Sequence, residues 1–239
     1  MILNHLNDIT ESIASGQNVL KVIASESKYL QKEFLNLLKD HQIPLIRYSN
    51  MIFRKKYPDA RGIVALIEET EILDLDGLLA KLPSQKNIRL LLLDEVGDPQ
   101  NIGAMIRSCV CFGFHGAILT ARNTAPIMEG VIKASSGACF HLPIARVGNL
   151  TQGIEELKKH GFWIVGTHTQ RGVWLNSFDT DRSIALIMGN EDKGIRPKIL
   201  NHCDYHVQIP MEKGFDSLNV SVAFGIIAFS LFSFDKKSF

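Results

Sequence analysis

Apolar residues recur along the chain at two alternating spacings, one helical and one typical of buried strands. In the first third, helical spacing predicts helices over residues 2–14 and 75–82, and a third that Ser27 would cap. Continuous apolar runs predict the strands between them: 19–25, 43–49 and 62–68. The polar, proline-containing stretch 83–87 predicts a linker, so the first domain, a small α/β unit, is expected to span residues 1–85.

Residues 88–239 alternate strand and helix patterns throughout, which predicts a second α/β domain with a mainly parallel sheet. The predicted strands are 88–94, 116–120, 140–146, 162–168, 183–189 and 204–210. The predicted helices are 99–112, 125–135, 150–160, 196–202 and 218–234. Asp98 is expected to cap the helix 99–112. Asn149 is expected to cap the helix 150–160, and Gly161 to end that same helix. The last helix is apolar on nearly every face, so a second copy of the chain could provide part of its cover.

Composition narrows the classes of function. The 239 residues are 46% hydrophobic and 21% charged, which is ordinary for a soluble globular protein. The first residues lack the order of a signal peptide, and the apolar run 222–232 is too short to span a bilayer. Four cysteines form no CxxC pair, and a predicted strand begins between His202 and His206, so no disulfide framework and no metal site are expected. We expect a reduced, cytoplasmic protein that binds neither membrane nor metal.

Charge does little to identify a partner. With a net charge of +1, attraction to RNA would need a local basic patch or two subunits combined. The best candidate patch is "FRKKYPDAR", residues 53–61, which contains Arg54, Lys55, Lys56 and Arg61. A solvated loop explains the same residues equally well.

Ligands of open parallel sheets bind beyond the carboxyl ends of the strands, where four connections carry polar residues. In "DEVGDPQNIG" Asp98 precedes a helix whose buried face is predicted to contain Ile102, Met105, Ile106, Cys109 and Val110. Arg107 lies outside that face, so its side chain is expected either to bind an anion or to be solvated. The connection "GTHTQRG", residues 166–172, supplies Thr167 and His168.

The other two connections flank a strand near the end of the chain. In "IMGNEDKGIRP", Gly189 ends a buried strand, Gly194 permits a close turn, and Glu191 can accept hydrogen bonds. In "IPMEKGFDSLNVSVA", Asp216 or Ser217 is expected to cap the last helix, with Asn219 as donor and acceptor beside it. No glycine-rich dinucleotide or P-loop fingerprint and no G-x-S-x-G nucleophile elbow occurs.

Three of these segments, in this order and at this spacing, resemble the three motifs of the SpoU (TrmH-type) RNA 2′-O-methyltransferases of the SPOUT superfamily. The segments are "DEVGDPQNIGAMIRSCVCFGF", "IMGNEDKGI" and "IPMEKGFDSLNVSVAFGI", which lie within residues 93–226. Residues 1–85 resemble the small RNA substrate-binding domain that precedes the catalytic domain in many members.

The resemblance implies a fold and a reaction. The fold is a sheet with a C-terminal trefoil knot whose loops hold S-adenosylmethionine, and a homodimer built partly on the last helix. The reaction is methyl transfer to a ribose 2′-hydroxyl of RNA. In the family, the arginine matching Arg107 lies at the reacting oxygen and is often proposed as the base. A guanidinium stays protonated in proteins, so phosphate binding and stabilisation of the developing oxyanion are easier roles for it.

The resemblance also implies roles for the other motif positions. Asn101, Glu191, Ser217 and Asn219 would orient Arg107 and the ribose. The expected cofactor-binding residues are Gly189, Ile209 and Leu218 through backbone groups, with Thr167 and Gly194 nearby. Arg54, Lys55, Lys56 and Arg61 would contact RNA.

Three positions depart from the family pattern. "ARG" stands at 60–62 where many members have "HQG", Asp192 stands where glycine is frequent, and Gly214 lies one place later than in many relatives. None of these removes a catalytic position, but they prevent transfer of a particular nucleotide target. The first domain favours rRNA as the substrate, because tRNA-specific relatives often lack it. The alternatives are a tRNA methyltransferase and a catalytically silent RNA-binding protein of the same fold.

Overall fold

The chain divides into two compact units. The computed structural model describes residues 1–120, 129–168, 172–174, 181–212 and 217–236. Unit 1 contains Met1–Glu71 and Ser136–His141, and unit 2 contains Ile72–Ser135 and Leu142–Phe239.

Unit 1 is a four-stranded mixed sheet with three helices. Its strands are β1 (Ile2–Leu3), β2 (Val19–Ser25), β3 (Leu45–Tyr48) and β4 (Ile63–Ile67), and its helices are α1 (Leu6–Ala14), α2 (Lys32–Asp40) and α3 (Asn50–Lys56). The strand order is β1-β4-β2-β3. Strands β2 and β3 run parallel, whereas β4 runs antiparallel to β1 and β2. Because of these directions, β2 and β3 end, and β4 begins, at the same edge of the sheet.

Three local predictions for unit 1 are corrected by tertiary pairing. The first helix begins at Leu6, not residue 2, because Ile2 and Leu3 form an edge strand paired with β4. Ser27 does not cap α2, which begins at Lys32; its hydroxyl instead donates to Asn50 Oδ1 at 2.7 Å. The basic stretch 53–61, for which a solvated loop was one of two interpretations, contains the end of helix α3, which Ser49 caps by accepting from the Ile52 N–H at 3.4 Å.

Unit 2 is built on a seven-stranded parallel sheet, as its alternating pattern predicted. The strands are β5 (Arg89–Asp94), β6 (Gly116–Thr120), β7 (Ile144–Val147), β8 (Trp163–Thr167), β9 (Val173–Trp174), β10 (Ile184–Gly189) and β11 (Tyr205–Gln208). The helices are α4 (Leu75–Lys81), α5 (Pro99–Cys111), α6 (Glu129–Ser135), α7 (Leu150–Lys159), α8 (Pro197–Leu200) and α9 (Val220–Lys236). The strand order is β7-β6-β5-β10-β8-β11-β9, with every described pairing parallel.

The sequence signals for unit 2 have clear physical counterparts. Leu90, Leu91, Leu92 and Leu93 in β5 have no exposed surface, as expected for a central parallel strand covered on both faces. Asp98 accepts from the Gln100 N–H at 2.9 Å and Asn149 from the Thr151 N–H at 3.0 Å, so both predicted caps are confirmed. Gly161, with φ of +81°, ends α7 as predicted.

The boundary between the units lies at Glu71/Ile72 rather than at the predicted linker 83–87. Leu73 extends the edge of the unit 2 sheet, donating its N–H to the Ile144 carbonyl at 2.9 Å. Leu78 of α4 is fully buried in the same core cluster as Leu90 and Leu92. The helix at the end of the predicted first domain therefore belongs to unit 2, because an apolar face does not reveal which sheet it covers.

Other differences in unit 2 concern element ends. The strand predicted at 140–146 starts later, because Ala138–His141 forms a 3₁₀ turn that belongs to unit 1. The helix predicted at 125–135 is seen as α6, while 121–128 lie outside the described residues. In the described part of the chain, no helix is long and apolar enough to cross a membrane.

Candidate active site

A cavity of about 530 Å³ lies at the carboxyl ends of β8, β10 and β11, within the size range of small-molecule sites. Its wall consists of residues following β8, the loop after β10, the end of β11 and one side of α9. All five predicted cofactor-binding residues line it, together with two predicted catalytic residues: Thr167, Gly189, Gly194, Ile209, Leu218, Glu191 and Ser217. Tertiary structure thus assembles positions that are far apart in sequence.

The loop after β10 folds back tightly on the strand that precedes it. Asn190 and Gly194 exchange backbone hydrogen bonds at 3.1 and 2.9 Å, and the N–H groups of Asp192 and Lys193 both donate to Asn190 Oδ1 at 3.1 Å. A side chain at Gly189 would overlap the backbone of Gly194 and Ile195. Glycine at 189 is therefore required by close approach of the chain, and the cavity wall here is backbone.

A chain of side-chain hydrogen bonds joins the three sequence segments beside this cavity. Asn219 Nδ2 donates to Asn101 Oδ1 at 3.0 Å, and Asn101 Nδ2 donates to Glu191 Oε1 at 3.0 Å. Asn219 Oδ1 accepts from the backbone N–H groups of Ser221 at 2.9 Å and Val222 at 3.3 Å. We call this chain, Asn219–Asn101–Glu191, the amide relay.

The backbone determines which way the relay points. Since Asn219 Oδ1 is occupied by helix N–H groups, its Nδ2 faces Asn101, which must then present its own oxygen. Asn101 is left with only donors for Glu191, whose second oxygen also accepts from Asn190 Nδ2 at 3.3 Å. The relay therefore holds an accepting carboxylate at the cavity.

The cap of α9 is a corrected prediction. Asn219, rather than Ser217, caps the helix, because α9 begins at Val220 and its first free N–H groups reach Asn219 Oδ1. Ser217 is exposed and lines the cavity, and Asp216 lies outside the described residues. Asn219 thus combines a structural role with a position in the relay.

An ion pair that sequence reasoning missed ties the first segment to the second. Asp94, with no exposed surface, accepts from the Arg196 N–H and Nε at 2.9 Å each and from Nη2 at 2.6 Å. Arg196 Nη1 also pairs with Glu95 at 2.9 Å. Hydrogen bonding to Asp94 raises the pKa of the Arg196 guanidinium. The pair fixes the end of the loop that walls the cavity to the end of β5.

The signals for these missed residues were present but ambiguous. Asp94 ends an apolar strand, which is where a buried carboxylate could lie, and Arg196 precedes a helix-starting proline. Asn190, whose Nδ2 donates to the Glu95 carbonyl at 3.0 Å, resembles any loop asparagine. Nothing in the one-dimensional pattern pairs residues about a hundred positions apart.

Arg107 lies apart from the cavity wall. It is exposed on α5, as predicted, and does not belong to the described residues that line the cavity. It lies six positions after Asn101 along the helix, which corresponds to about 9 Å along the axis and a different face. Four of the five predicted buried residues of α5 are buried, but Val110 is 37% exposed on the same side as Arg107.

The predicted RNA-binding cations lie in unit 1. Arg54, Lys55 and Lys56 form the last turn of α3, and Arg61 lies two residues before the start of β4. All four side chains are exposed, and Lys56 Nζ lies 4.8 Å from the centre of the Tyr48 ring. Their exposure is compatible with RNA binding, which stays a prediction.

Thiol chemistry has no support in the site. Burial raises the pKa of Cys109 well above its ordinary value and raises that of Cys203 to about 12, so both thiols stay protonated near neutral pH. Among the described residues, no group of three or more His, Cys, Asp and Glu side chains could hold a metal ion.

Comparisons with known proteins agree with this architecture. Residues 89–229 match the SpoU rRNA Methylase family. A Staphylococcus aureus (strain COL) protein assigned to the TrmH family of tRNA/rRNA methyltransferases is 32% identical over 229 residues, covering 94% of this chain and 92% of the relative.

Solved structures show the same fold. The SpoU methyltransferase AviRb from Streptomyces viridochromogenes is 26% identical, with a TM-score of 0.82 over 100% of this chain and 90% of its own. A second AviRb structure, 24% identical with a TM-score of 0.81, contains the cofactor AdoMet and covers 99% of this chain and 90% of its own. The A. aeolicus TrmH/SpoU tRNA modifying enzyme is 30% identical, with a TM-score of 0.57 over 69% of this chain and 83% of its own. The family match covers residues 89–229, and the S. aureus relative matches 94% of this chain. This chain therefore belongs to the SpoU rRNA methylase family.

Proposed function

We propose that this protein transfers a methyl group from S-adenosylmethionine to a ribose 2′-hydroxyl of RNA, with ribosomal RNA as the favoured substrate. The observation that carries the proposal is the amide relay, which links one polar residue from each of the three segments and ends at Glu191 on the cavity wall. A fold kept only for RNA binding has no need of such a relay, so the geometry favours an enzyme over the silent RNA-binding alternative.

The cavity fits the proposed cofactor. Its wall combines apolar side chains, including Ile195, Leu200 and Ile209, with the backbone of Gly189, a mixture suited to an adenosine group. Glu191 adds a carboxylate, which favours a cationic ligand. When bound, S-adenosylmethionine supplies an activated methyl group on its sulfonium.

The chain's own residues would prepare the acceptor. Ser217 and the Glu191 carboxylate would accept hydrogen bonds from the ribose, and the relay would keep Glu191 in one orientation. Arg107, exposed and apart from the cavity wall, is suited to an RNA phosphate or the developing oxyanion rather than to the cofactor.

The preference for ribosomal RNA rests on unit 1. The A. aeolicus tRNA modifying enzyme covers only 69% of this chain, and the family resemblance implies that tRNA-specific members often lack the first domain. The tRNA alternative is kept because that tRNA enzyme is also 30% identical and the S. aureus relative is named for both RNA classes.

We propose a homodimer in which α9 contributes to the interface. Val222, Ile226 and Phe229, at i, i+4 and i+7, are 50%, 39% and 56% exposed and form an apolar stripe. Val110 of α5 is also exposed, and Phe112, two residues further along, packs on Phe229 with ring centres 5.8 Å apart. Sedimentation should give a dimer for the wild type and a monomer for Phe229→Glu, and a stable micromolar wild-type monomer would contradict this interface.

We also propose that the segments after β10 and β11 form the trefoil knot of this family. The tight return of the loop at Gly189 and the order β5-β10-β8-β11 support it. An experimental structure in which residues 209–220 are traced continuously would test whether this segment threads through the loop after β10.

The decisive experiment uses methyl-labelled S-adenosylmethionine with purified rRNA and tRNA from cells that lack this protein, followed by digestion to nucleosides. Label in a 2′-O-methylnucleoside from rRNA alone supports both reaction and substrate class. Label in tRNA keeps the reaction but replaces the substrate. If naked RNAs and ribosomal particles both stay unlabelled while the cofactor binds, the silent RNA-binding function replaces the enzyme.

A further inference from the structure

One edge of unit 1 gathers the ends of three strands. Strands β2 and β3 end there, and β4 begins there, with Ala24 of β2 paired to Ile63 of β4. The edge therefore carries the connection after β2, the start of α3 and the Arg61–Gly62 turn, whose "ARG" departs from the pattern of many relatives. We call these three pieces the strand-end surface.

Hydrogen bonds hold the pieces in fixed positions. Arg47 Nη1 donates to the Ser25 carbonyl at 2.9 Å and to the Lys28 carbonyl at 2.7 Å. The Ser27 hydroxyl donates to Asn50 Oδ1 at 2.7 Å, and the Ser25 N–H to the Gly62 carbonyl at 2.9 Å. The connection after β2 is thus attached to both neighbouring strands.

The strand-end surface presents two large apolar side chains to solvent. Tyr29 is 82% exposed and Met51 is 79% exposed, the highest values among the large apolar side chains of the described residues. Both follow the Ser27–Asn50 hydrogen bond by one or two positions. A rigid backbone that holds an aromatic ring in water is a preorganised stacking platform, because little further entropy is lost when a ligand binds.

The stretch of sequence that contains this ring is positively charged. Residues 25–62 contain eight Lys and Arg against four Asp and Glu, although the whole chain has a net charge of only +1. The Lys28 side chain passes next to Gly62, where an added Cβ would lie 3.4 Å from Lys28 Cδ, so Lys28 and Arg61 are neighbours. An exposed aromatic ring among cations matches the chemistry of unpaired RNA, which offers stacking bases and phosphates.

We infer that the strand-end surface binds an unpaired RNA segment, with Tyr29 stacking on a base and Lys28 and Arg61 contacting phosphates. This inference rests on the proposed function and adds to it a preference for unpaired RNA. Duplex RNA lacks accessible base faces, so Tyr29 should distinguish the two forms.

The test is fluorescence anisotropy of the full chain with a labelled RNA hairpin that has an unpaired loop, compared with a duplex of the same stem. Tyr29→Ala should weaken hairpin binding about tenfold and leave duplex binding unchanged, while Tyr29→Phe should bind as the wild type. Lys28→Ala should lower the salt dependence of hairpin binding. Lys39→Ala is the control, because it removes an equal charge from the last turn of α2, at the opposite ends of the strands. It should leave the salt dependence of hairpin binding unchanged.

Unchanged hairpin affinity in Tyr29→Ala, or an equal loss for both RNAs, would overturn the inference. Methyl transfer to rRNA by the same preparations separates it from the proposed function. A Tyr29→Ala protein that methylates and binds the hairpin like the wild type refutes only the strand-end surface. If the wild-type protein binds neither the hairpin nor the duplex, both the strand-end surface and the proposed recognition of RNA are refuted.

Discussion

Both units place polar residues at strand ends, but they arrange them in different ways. In unit 2, Asn219 donates a hydrogen bond to Asn101, and the buried Asp94 carboxylate is paired with Arg196. In unit 1, the cations of α3 are exposed, and the backbone beneath the strand-end surface is what is fixed. The side chains of unit 2 are coupled to one another by hydrogen bonds and ion pairs, whereas those of unit 1 project separately from a fixed backbone.

This difference predicts how substitutions behave. Groups that act as a unit give large, non-additive losses when any member changes. Exposed phosphate-binding cations contribute separately, so their losses are small and additive. Substitutions in the active site of unit 2 should alter turnover or stability, and substitutions of exposed cations in unit 1 should alter RNA affinity.

Arg107→Ala has the largest expected effect, because the proposed function gives Arg107 the charge that develops during methyl transfer. Arg107→Ala should lower kcat about 100- to 1,000-fold through lost stabilisation of charge at the reacting oxygen, with the Kd for S-adenosylmethionine nearly unchanged. Single-turnover methylation and calorimetry measure the two quantities. Equal losses in both would place Arg107 in the cofactor site.

Arg196→Ala tests the coupling of buried charge. Without its partner, Asp94 is left as an uncompensated buried carboxylate, so the free energy of unfolding should fall by about 2–3 kcal/mol, less than for a fully buried pair because the Arg196 side chain is 44% exposed. Urea denaturation measures the change. Lys198→Ala, an exposed cation two residues away, is the control, and an equal effect there would argue against the ion pair.

Asn101→Asp tests the relay itself. Aspartate still accepts from Asn219 but cannot donate to Glu191, and it adds a like charge beside it. We expect kcat to fall about tenfold or more, with a loss of about 1–2 kcal/mol in unfolding free energy. Gln100→Ala, at the exposed neighbouring position, should change neither quantity. Normal turnover in Asn101→Asp would show that the relay is structural only.

Lys55→Ala gives the smallest expected effect and tests the independent arrangement. Removing one phosphate contact should weaken RNA binding about fivefold at physiological salt and reduce the slope of affinity against salt by about one. Turnover at saturating RNA should stay unchanged. A loss of turnover as large as that of Arg107→Ala would mean that the two units do not differ as described.

The sequence by itself determined what depends on local pattern. Alternating apolar runs predicted the parallel sheet of unit 2, and Asp98, Asn149 and Gly161 marked helix ends, because caps act over two or three residues. The polar connections at the ends of β8, β10 and β11 contained the residues predicted to bind the cofactor, and all five of them line the cavity. The order of the three motif segments carried the family resemblance without any structure.

Tertiary structure alone decided which residues meet. The strand order brings β10 between β5 and β8, so Arg196 reaches Asp94 and Glu191 reaches Asn101 across about ninety to a hundred positions of sequence. It also assigned α4 to unit 2 and the cap of α9 to Asn219 rather than Ser217. Hydrogen bonds and ion pairs depend on distances of about 3 Å, and such distances follow from packing between elements, which no local pattern encodes.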